Sequence, residues 1–258
     1  MKKQVVNLIS VWRALFFRET LTRLFSSRLA WFWLITEPIV HILFFSLIFS
    51  AFRINRVSGI DTFHWLFIGV AGYFVFQRTM SQTMRSVSSN LALFVYRQIK
   101  PIDTVFTRAI LEILIAVVVI MISSLLLFLF DFQMNPSNLI GFMAAFVLLW
   151  LLGLSFGLFF AVITGFIPDM SQVIDFLMRP LYFLSGVLVP ITNMPKPYRE
   201  ILMYNPIANA IESARFSFSN LYVKPPELDY EYLIIFVMVS FFLGLTLLRH
   251  FSSELVMQ

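Results

Sequence analysis

Long runs of apolar residues constrain this chain more than any other feature of its sequence. From Phe132 to Pro168 no side chain carries a charge, and between Arg28 and Arg53 the only charged residue is Glu37. A helix needs about 20 mostly apolar residues to cross the hydrocarbon core of a bilayer. Hydrophobic residues make up 59% of the chain and charged residues only 13%, too apolar for a water-soluble globule of this size. The sequence predicts an all-α polytopic membrane protein.

The apolar runs predict six transmembrane helices within a single domain, residues 1–258. The expected spans are 31–52, 64–84, 106–130, 139–163, 173–189 and 232–248. Residues 1–30 precede the first span, residues 31–193 contain spans one to five, and residues 231–258 contain span six and a tail. The segment 194–230 separates the last two spans.

The first thirty residues predict an amphipathic helix that lies in the headgroup plane. Apolar residues recur at helical spacing between basic ones, as in Trp12, Arg13, Leu15 and Arg18. A merely basic tail is the alternative. Because no apolar stretch follows the lysines at positions 2 and 3, the segment does not resemble a signal peptide.

The distribution of basic residues predicts the orientation of the chain. With the N-terminus inside, twelve of the 19 Lys and Arg residues lie in inner segments and six in outer segments, while Arg179 lies within a span. Positive charges favour the cytoplasmic side of bacterial membranes. Both termini are therefore expected in the cytoplasm.

Two segments are expected to do more than connect spans. The cytoplasmic loop after span two predicts a capped helix from Leu91 to Lys100, ended by Pro101, which either docks onto a partner or rests on the membrane. On the outer side, the segment from Met194 to Phe218 contains two helices too short to cross, separated by a proline. It predicts a re-entrant or interfacial hairpin between spans five and six.

Polar side chains at membrane depth are costly, so they mark candidate functional faces. Span one carries Trp33, Glu37, His41 and Phe44 on one face, and span five carries Asp175, Arg179, Tyr182 and Phe183. These faces could line a wet pathway, or they could pack the two spans against each other. Asp175 and Arg179 lie four residues apart and could pair on one helix.

Several kinds of chemistry are excluded or disfavoured. The chain has no cysteine, no glycine followed by lysine as a phosphate-binding loop requires, and no histidines at metal-ligand spacing. Its basic residues form no single face for nucleic acid. A membrane-embedded transferase would need clustered carboxylates, which are absent. A secondary transporter with Glu37 and His41 as proton relay would be expected to show internal repeats, and we find none.

Three sets of residues resemble the membrane subunits of type-two ABC exporters, in particular the branch that exports polysaccharides. The matching residues are Arg18, Glu19, Thr22, Arg23, Trp33, Glu37 and Pro38, then Asn90, Phe94, Arg97, Lys100, Pro101, Asp103 and Arg108, and finally Arg179, Pro180, Leu181, Ser185, Gly186, Pro195, Asn205, Pro206, Glu212 and Arg215. The sequence is most similar to capsular polysaccharide export permeases of the inner membrane.

The resemblance implies a homodimer that works with two copies of a separate ATPase, which binds ATP and magnesium, so that this chain is not itself an enzyme and has no cofactor. It also implies a lipid-linked polysaccharide as substrate, with periplasmic and outer-membrane export proteins as further partners. We expect the glycan to be acidic. Export of O-antigen, teichoic acid, drugs or small lipids remains the alternative.

The resemblance also assigns roles to residues. The ATPase would contact the N-terminal helix and the loop residues Asn90, Leu91, Phe94, Arg97, Lys100 and Pro101. Spans one and five would line the channel at the dimer interface, and the outer hairpin would cap it. Sugars present apolar faces to aromatic rings, so Trp33, Tyr182 and Phe183 are expected as sliding contacts.

Overall fold

The computed structural model describes residues 2–25, 28–96, 98–129 and 134–256. These residues form helices α1 (Lys2–Phe25), α2 (Ala30–Ala51), α3 (Thr62–Met84), α4 (Pro101–Leu129), α5 (Leu139–Phe166), α6 (Met170–Leu184), α7 (Lys196–Met203), α8 (Pro206–Phe218) and α9 (Tyr230–Val256). Short 3₁₀ helices occupy Ser88–Leu93 and Ile191–Asn193, and a two-stranded antiparallel hairpin pairs β1 (Arg56–Val57) with β2 (Ile60–Asp61).

Four of the described helices are long and apolar enough to cross a membrane. They cover Trp31–Ala51, Pro101–Leu129, Leu139–Phe166 and Tyr230–Val256, where the sequence predicts spans one, three, four and six. Helices α3 and α6 occupy the positions of predicted spans two and five. Helix α6 has 15 residues, about 22 Å at 1.5 Å per residue, shorter than a hydrocarbon core of about 30 Å. The fold is therefore helical and polytopic, and the count of six crossings stays a prediction.

Helix α3 forms the centre of the molecule, packed by α2, α4, α5 and α8. Two glycines of α5 allow the closest approach. A Cβ at Gly153 would lie 2.6 Å from the carbonyl oxygen of Phe76, and one at Gly157 would lie 1.7 Å from Thr83 Oγ1. Two glycines four residues apart are typical of close packing between membrane helices, and they have that function here.

The segment between α6 and α9 folds back into the helical core. Asn205 caps α8, because its side chain accepts a hydrogen bond from the backbone N–H of Ile207 at 3.0 Å. Helix α8 then packs against α3 and α5. A Cβ at Gly72, midway along α3, would lie 3.5 Å from Ile211 of α8. Helix α8 therefore reaches the level of the middle of α3.

The loop between α3 and α4 differs from its prediction. No helix extends from Leu91 to Lys100: the 3₁₀ helix ends at Leu93 and turns follow. Asn90 has non-helical backbone angles, and its side chain donates to the carbonyl of Ser86. Pro101 begins α4 instead of ending the loop helix, because proline suits the first turn of a helix as well as the position after one.

Candidate functional site

The predicted polar face of α2 is largely exposed, and an arginine of α3 binds it. Trp33 is 59% exposed and Phe44 57%. Glu37 accepts a hydrogen bond from Arg78 Nη2 of α3 at 2.7 Å, and Arg78 Nη1 also donates to the carbonyl of Leu34 at 2.9 Å. The arginine therefore holds α2 against α3.

The polar face of α6 is organised differently from its prediction. Asp175 does not pair with Arg179; it forms an ion pair with Arg85 of α3 and accepts a hydrogen bond from Ser81 at 3.2 Å. Asp175 therefore binds the guanidinium of Arg85 on the neighbouring helix and not that of Arg179, four residues away on its own helix. Arg179 is exposed, and within the described residues it forms no ion pair. Its charge is available to a molecule that passes along α6.

Aromatic rings join α2, α3 and α6 in one layer. The ring of Tyr182 lies 6.1 Å from that of His41 on α2 and 5.0 Å from that of Tyr73 on α3. Tyr73 donates its hydroxyl to the carbonyl of Met178 on α6. The hydroxyl of Tyr182 is buried and finds no hydrogen-bond partner in the described part of the chain. Part of each predicted face, His41 and Tyr182, therefore packs within the subunit.

The rest of the two faces forms an exposed surface, which we call the α2–α6 face and define as Trp33, Glu37, Phe44, Arg179 and Phe183. Phe183 is 56% exposed. A charged side chain turned to lipid is costly, so charged residues in membrane segments usually face water or protein. The α2–α6 face is therefore suited to a wet pathway or to contact with another protein.

A mostly buried polar cluster joins α1 to the loop after α3 and to the first turns of α4. Arg108 Nε donates to Glu19 at 2.9 Å, Asn90 Nδ2 donates to the other oxygen of Glu19 at 2.9 Å, and Arg18 donates to Asn90 at 2.7 Å. Glu19 is only 6% exposed. We call Arg18, Glu19, Asn90 and Arg108 the inner clamp. These hydrogen bonds fix α1 to the loop between α3 and α4.

The loop exposes only part of the set predicted to contact a partner, Leu91 and Lys100. Leu91, Val95 and Tyr96 are exposed, and we call them the loop patch. Phe94 is buried against Val87 and its apolar neighbours. Asn90 and Pro101 are also buried, Lys100 is exposed, and Arg97 lies outside the described residues. Phe94, Asn90 and Pro101 therefore support the loop from within, because burial prevents direct contact with a partner.

A second buried polar cluster lies around α8. Its residues Glu212 and Arg215 stood out in the sequence only because they match the family. Arg215 of α8 is fully buried and donates to Glu212 and to the carbonyl of Gly186, each at 2.8 Å. Its guanidinium lies 3.9 Å from the ring centroid of Trp65 on α3, and Tyr222 donates to the second oxygen of Glu212. An Arg and a Glu three residues apart in an apolar helix were the available signal.

The outer surface carries an ion pair between α7 and the loop that precedes α9. Arg199 donates to both carboxylate oxygens of Glu227, at 2.7 and 2.8 Å. These hydrogen bonds hold the pKa of Glu227 below its ordinary range and raise the pKa of Arg199. Among the described residues no group of three or more histidine and acidic side chains could hold a metal ion.

Comparison with known proteins gives the family. Residues 10–219 match the model of the family described as ABC-2 type transporter. The chain belongs to this family. It is 33% identical to the polysialic acid transport protein KpsM of Escherichia coli over 236 residues, which cover 92% of this chain and 91% of the relative.

Two further relatives also align over nearly their whole length. The capsule polysaccharide export inner-membrane protein CtrC of Neisseria meningitidis serogroup A is 26% identical over 246 residues, 93% of this chain and 90% of CtrC. The corresponding protein BexB of Haemophilus influenzae is 23% identical over 243 residues, with the same coverage. The resemblance predicted from the sequence is confirmed, and the ABC-2 chain described here is a multi-pass membrane protein.

Proposed function

We propose that this chain is the membrane subunit of an ATP-driven exporter that moves capsular polysaccharide across the bacterial inner membrane. Its similarity to KpsM, which covers 92% of the chain, carries the proposal. CtrC and BexB, both named as capsule polysaccharide export proteins, support it. The mostly exposed α2–α6 face adds a surface on which such a polymer could slide.

The proposed topology has six crossings with both termini in the cytoplasm. Helices α3 and α6 would complete the set with the four long apolar helices. Helices α7 and α8 would then form the re-entrant hairpin on the outer side, supported by the approach of Ile211 to Gly72. The inner clamp and the loop patch would lie on the cytoplasmic side, where basic residues are concentrated.

The proposed pathway lies between two copies of the chain. A two-fold axis beside the α2–α6 face would surround one channel with two copies of α2 and α6. Aromatic rings on this face would contact sugar faces, and Arg179 would interact with the carboxylates of an acidic, lipid-linked glycan. The first relative carries polysialic acid in its name, which supports an acidic substrate. Contacts must be weak and repeated, because a tight site would stall a polymer.

The proposed drive comes from a separate ATPase, present in two copies, that binds ATP and magnesium. It would dock on the loop patch, where Val95 is 83% exposed and apolar. The inner clamp would then transmit its movement to α1 and α4. Periplasmic and outer-membrane export proteins would receive the polymer at the outer end.

Gene deletion tests the proposal. A strain without this gene should lose surface capsule and accumulate the polymer inside the cell, and the wild-type gene should restore the capsule. Arg179→Gln should insert and bind the ATPase normally but export less acidic polymer. Arg249→Gln, which removes an exposed cation from α9, is the matched control and should restore full export. A deletion strain with a normal capsule would overturn the proposal.

A further inference from the structure

A narrow apolar slot runs between α2 and α4 over the surface of α3. One part lies between Pro38 and Ile42 of α2 and the Ala116 side of α4 and measures about 450 Å³ with the open space at its mouth included. A second part, about 530 Å³ measured in the same way, shares Ile42, Phe67 and Ser123 with the first and continues it to Leu127. Because α2 packs mainly on α3 and barely contacts α4, the slot stays open along its length.

The length of the slot matches a lipid tail. From Glu112 to Leu127, both lining residues on α4, the distance is about 22 Å at 1.5 Å per residue. The hydrocarbon of one leaflet is about 15 Å thick, half of the core. One acyl chain therefore fits from the headgroup level past the middle of the bilayer. The lining is aliphatic and aromatic apart from Arg78 and Glu112 at one end and Ser123 on α4, so it suits a linear hydrocarbon.

The polar end of the slot lies beside α1. Arg78 and Glu112 line this end, and Arg23 of α1 forms an ion pair with Glu112 at 3.2 Å. The side chain of Arg23 is 28% exposed. Basic pockets between membrane helices at the headgroup level bind lipid phosphates. Arg23 can therefore hold a phosphate at the mouth of the slot.

The slot is separate from the proposed pathway. On α2 it is lined by Pro38, Ile39, Ile42 and Leu43, and at 3.6 residues per turn these positions point about 105–155° away from the centre of the polar face that contains Trp33. A polymer that moves along the α2–α6 face therefore does not pass through the slot. Its occupant is a resident molecule of the bilayer.

We propose that this slot binds one acyl chain of a phospholipid from the leaflet beside α1, with the lipid phosphate at Arg23. Bilayer hydrocarbon gives no hydrophobic gain over the slot, so binding depends on close packing and on the phosphate contact. An empty slot would forfeit the dispersion contacts of its walls. The bound chain completes the packing between α2 and α4 and sets the distance between them.

Photo-crosslinking tests the site. The purified chain, produced in a host that makes no capsule, is placed in nanodiscs of phosphatidylethanolamine and phosphatidylglycerol with a phosphatidylglycerol that carries a diazirine in mid-chain. Labelled peptides are identified by mass spectrometry. We expect labelling of slot residues between Glu112 and Ser123, and retention of the lipid through detergent washing.

Two substitutions on α4 separate the slot from the ordinary lipid boundary. Ala116→Phe fills the slot and should lower slot labelling about tenfold, the loss expected from overlap with the bound chain. Val118→Phe adds the same ring to the exposed side of the helix and should change nothing. If Ala116→Phe does not purify as a folded protein, Ser123→Phe, which blocks the slot further along α4, decides the test by the same criterion.

Four results would overturn the proposal. The first is equal slot labelling in the wild type and the blocked variant, and the second is labelling of exposed positions such as Val118 alone. The third is labelling that requires a host that makes capsule, which would assign the slot to the lipid anchor of the substrate. The fourth is a disulfide between two copies of Ile115→Cys, which would place a second chain there. None of these measurements uses ATP or export, so failure here leaves the proposed function untouched.

Discussion

Replacement of Arg215 by Met tests whether the buried cluster at the outer end holds the hairpin in place. Arg215 and Glu212 are both fully buried, and the guanidinium donates to Glu212 and to the carbonyls of Gly186, Val187 and Trp65. Methionine keeps the length of the side chain and removes the charge. Glu212 would then stay buried with only Tyr222 as a partner.

The expected cost follows from this geometry. Removal of one partner from a buried ion pair costs about 3–5 kcal/mol, because the remaining charge is uncompensated. The double variant Glu212→Leu with Arg215→Met removes both charges, but it still leaves the two carbonyls after α6 without a donor. We expect a coupling free energy between the two sites of about 2–3 kcal/mol. The double variant should therefore be more stable than the sum of the single losses predicts.

The assay is reversible unfolding of the purified chain in mixed micelles, followed by tryptophan fluorescence and circular dichroism. Arg249→Met makes the same substitution at an exposed position of α9 and should change stability by less than about 0.5 kcal/mol. If Arg215→Met costs no more than this control, the pair does not stabilise the hairpin and the argument is refuted.

Three further predictions address the outer ion pair, the loop and the helix contact. Arg199 lowers the pKa of Glu227, so the pair should stabilise the fold at pH values above the ordinary pKa of glutamate. This stabilisation should be lost as the pH falls through the lowered pKa. Glu227→Gln should therefore flatten that part of a plot of melting temperature against pH. Val95→Asp should reduce co-purification of the ATPase and leave the melting temperature unchanged, whereas Phe94→Ala should cost about 3–5 kcal/mol of stability. A normal yield of ATPase with Val95→Asp would contradict the proposed role of the loop patch. Gly157→Ala places a methyl group against a threonine of α3 and should cost about 1–3 kcal/mol in the same unfolding assay.

The sequence was sufficient for those features that depend on consecutive residues. Hydropathy adds up along the chain, so the apolar runs located the four long helices, and Asn205 before a proline marked the start of α8. The same holds for the family, because its motifs are short and occur in order across the chain. The spacing of Gly153 and Gly157 also gave a correct local inference of close packing.

Only the tertiary structure decided which side chains meet. Asp175 pairs with Arg85 and Glu37 with Arg78 because α6 and α2 each pack against α3 with one particular rotation and offset. Neither quantity is encoded in the periodicity of a single helix. Phe94 is buried for the same reason: an apolar residue of a short loop can face a partner or its own core, and the packing of α4 and α5 beneath the loop selects the core. Local sequence determines where helices form, whereas the contacts between distant segments determine which of their faces remain available for function.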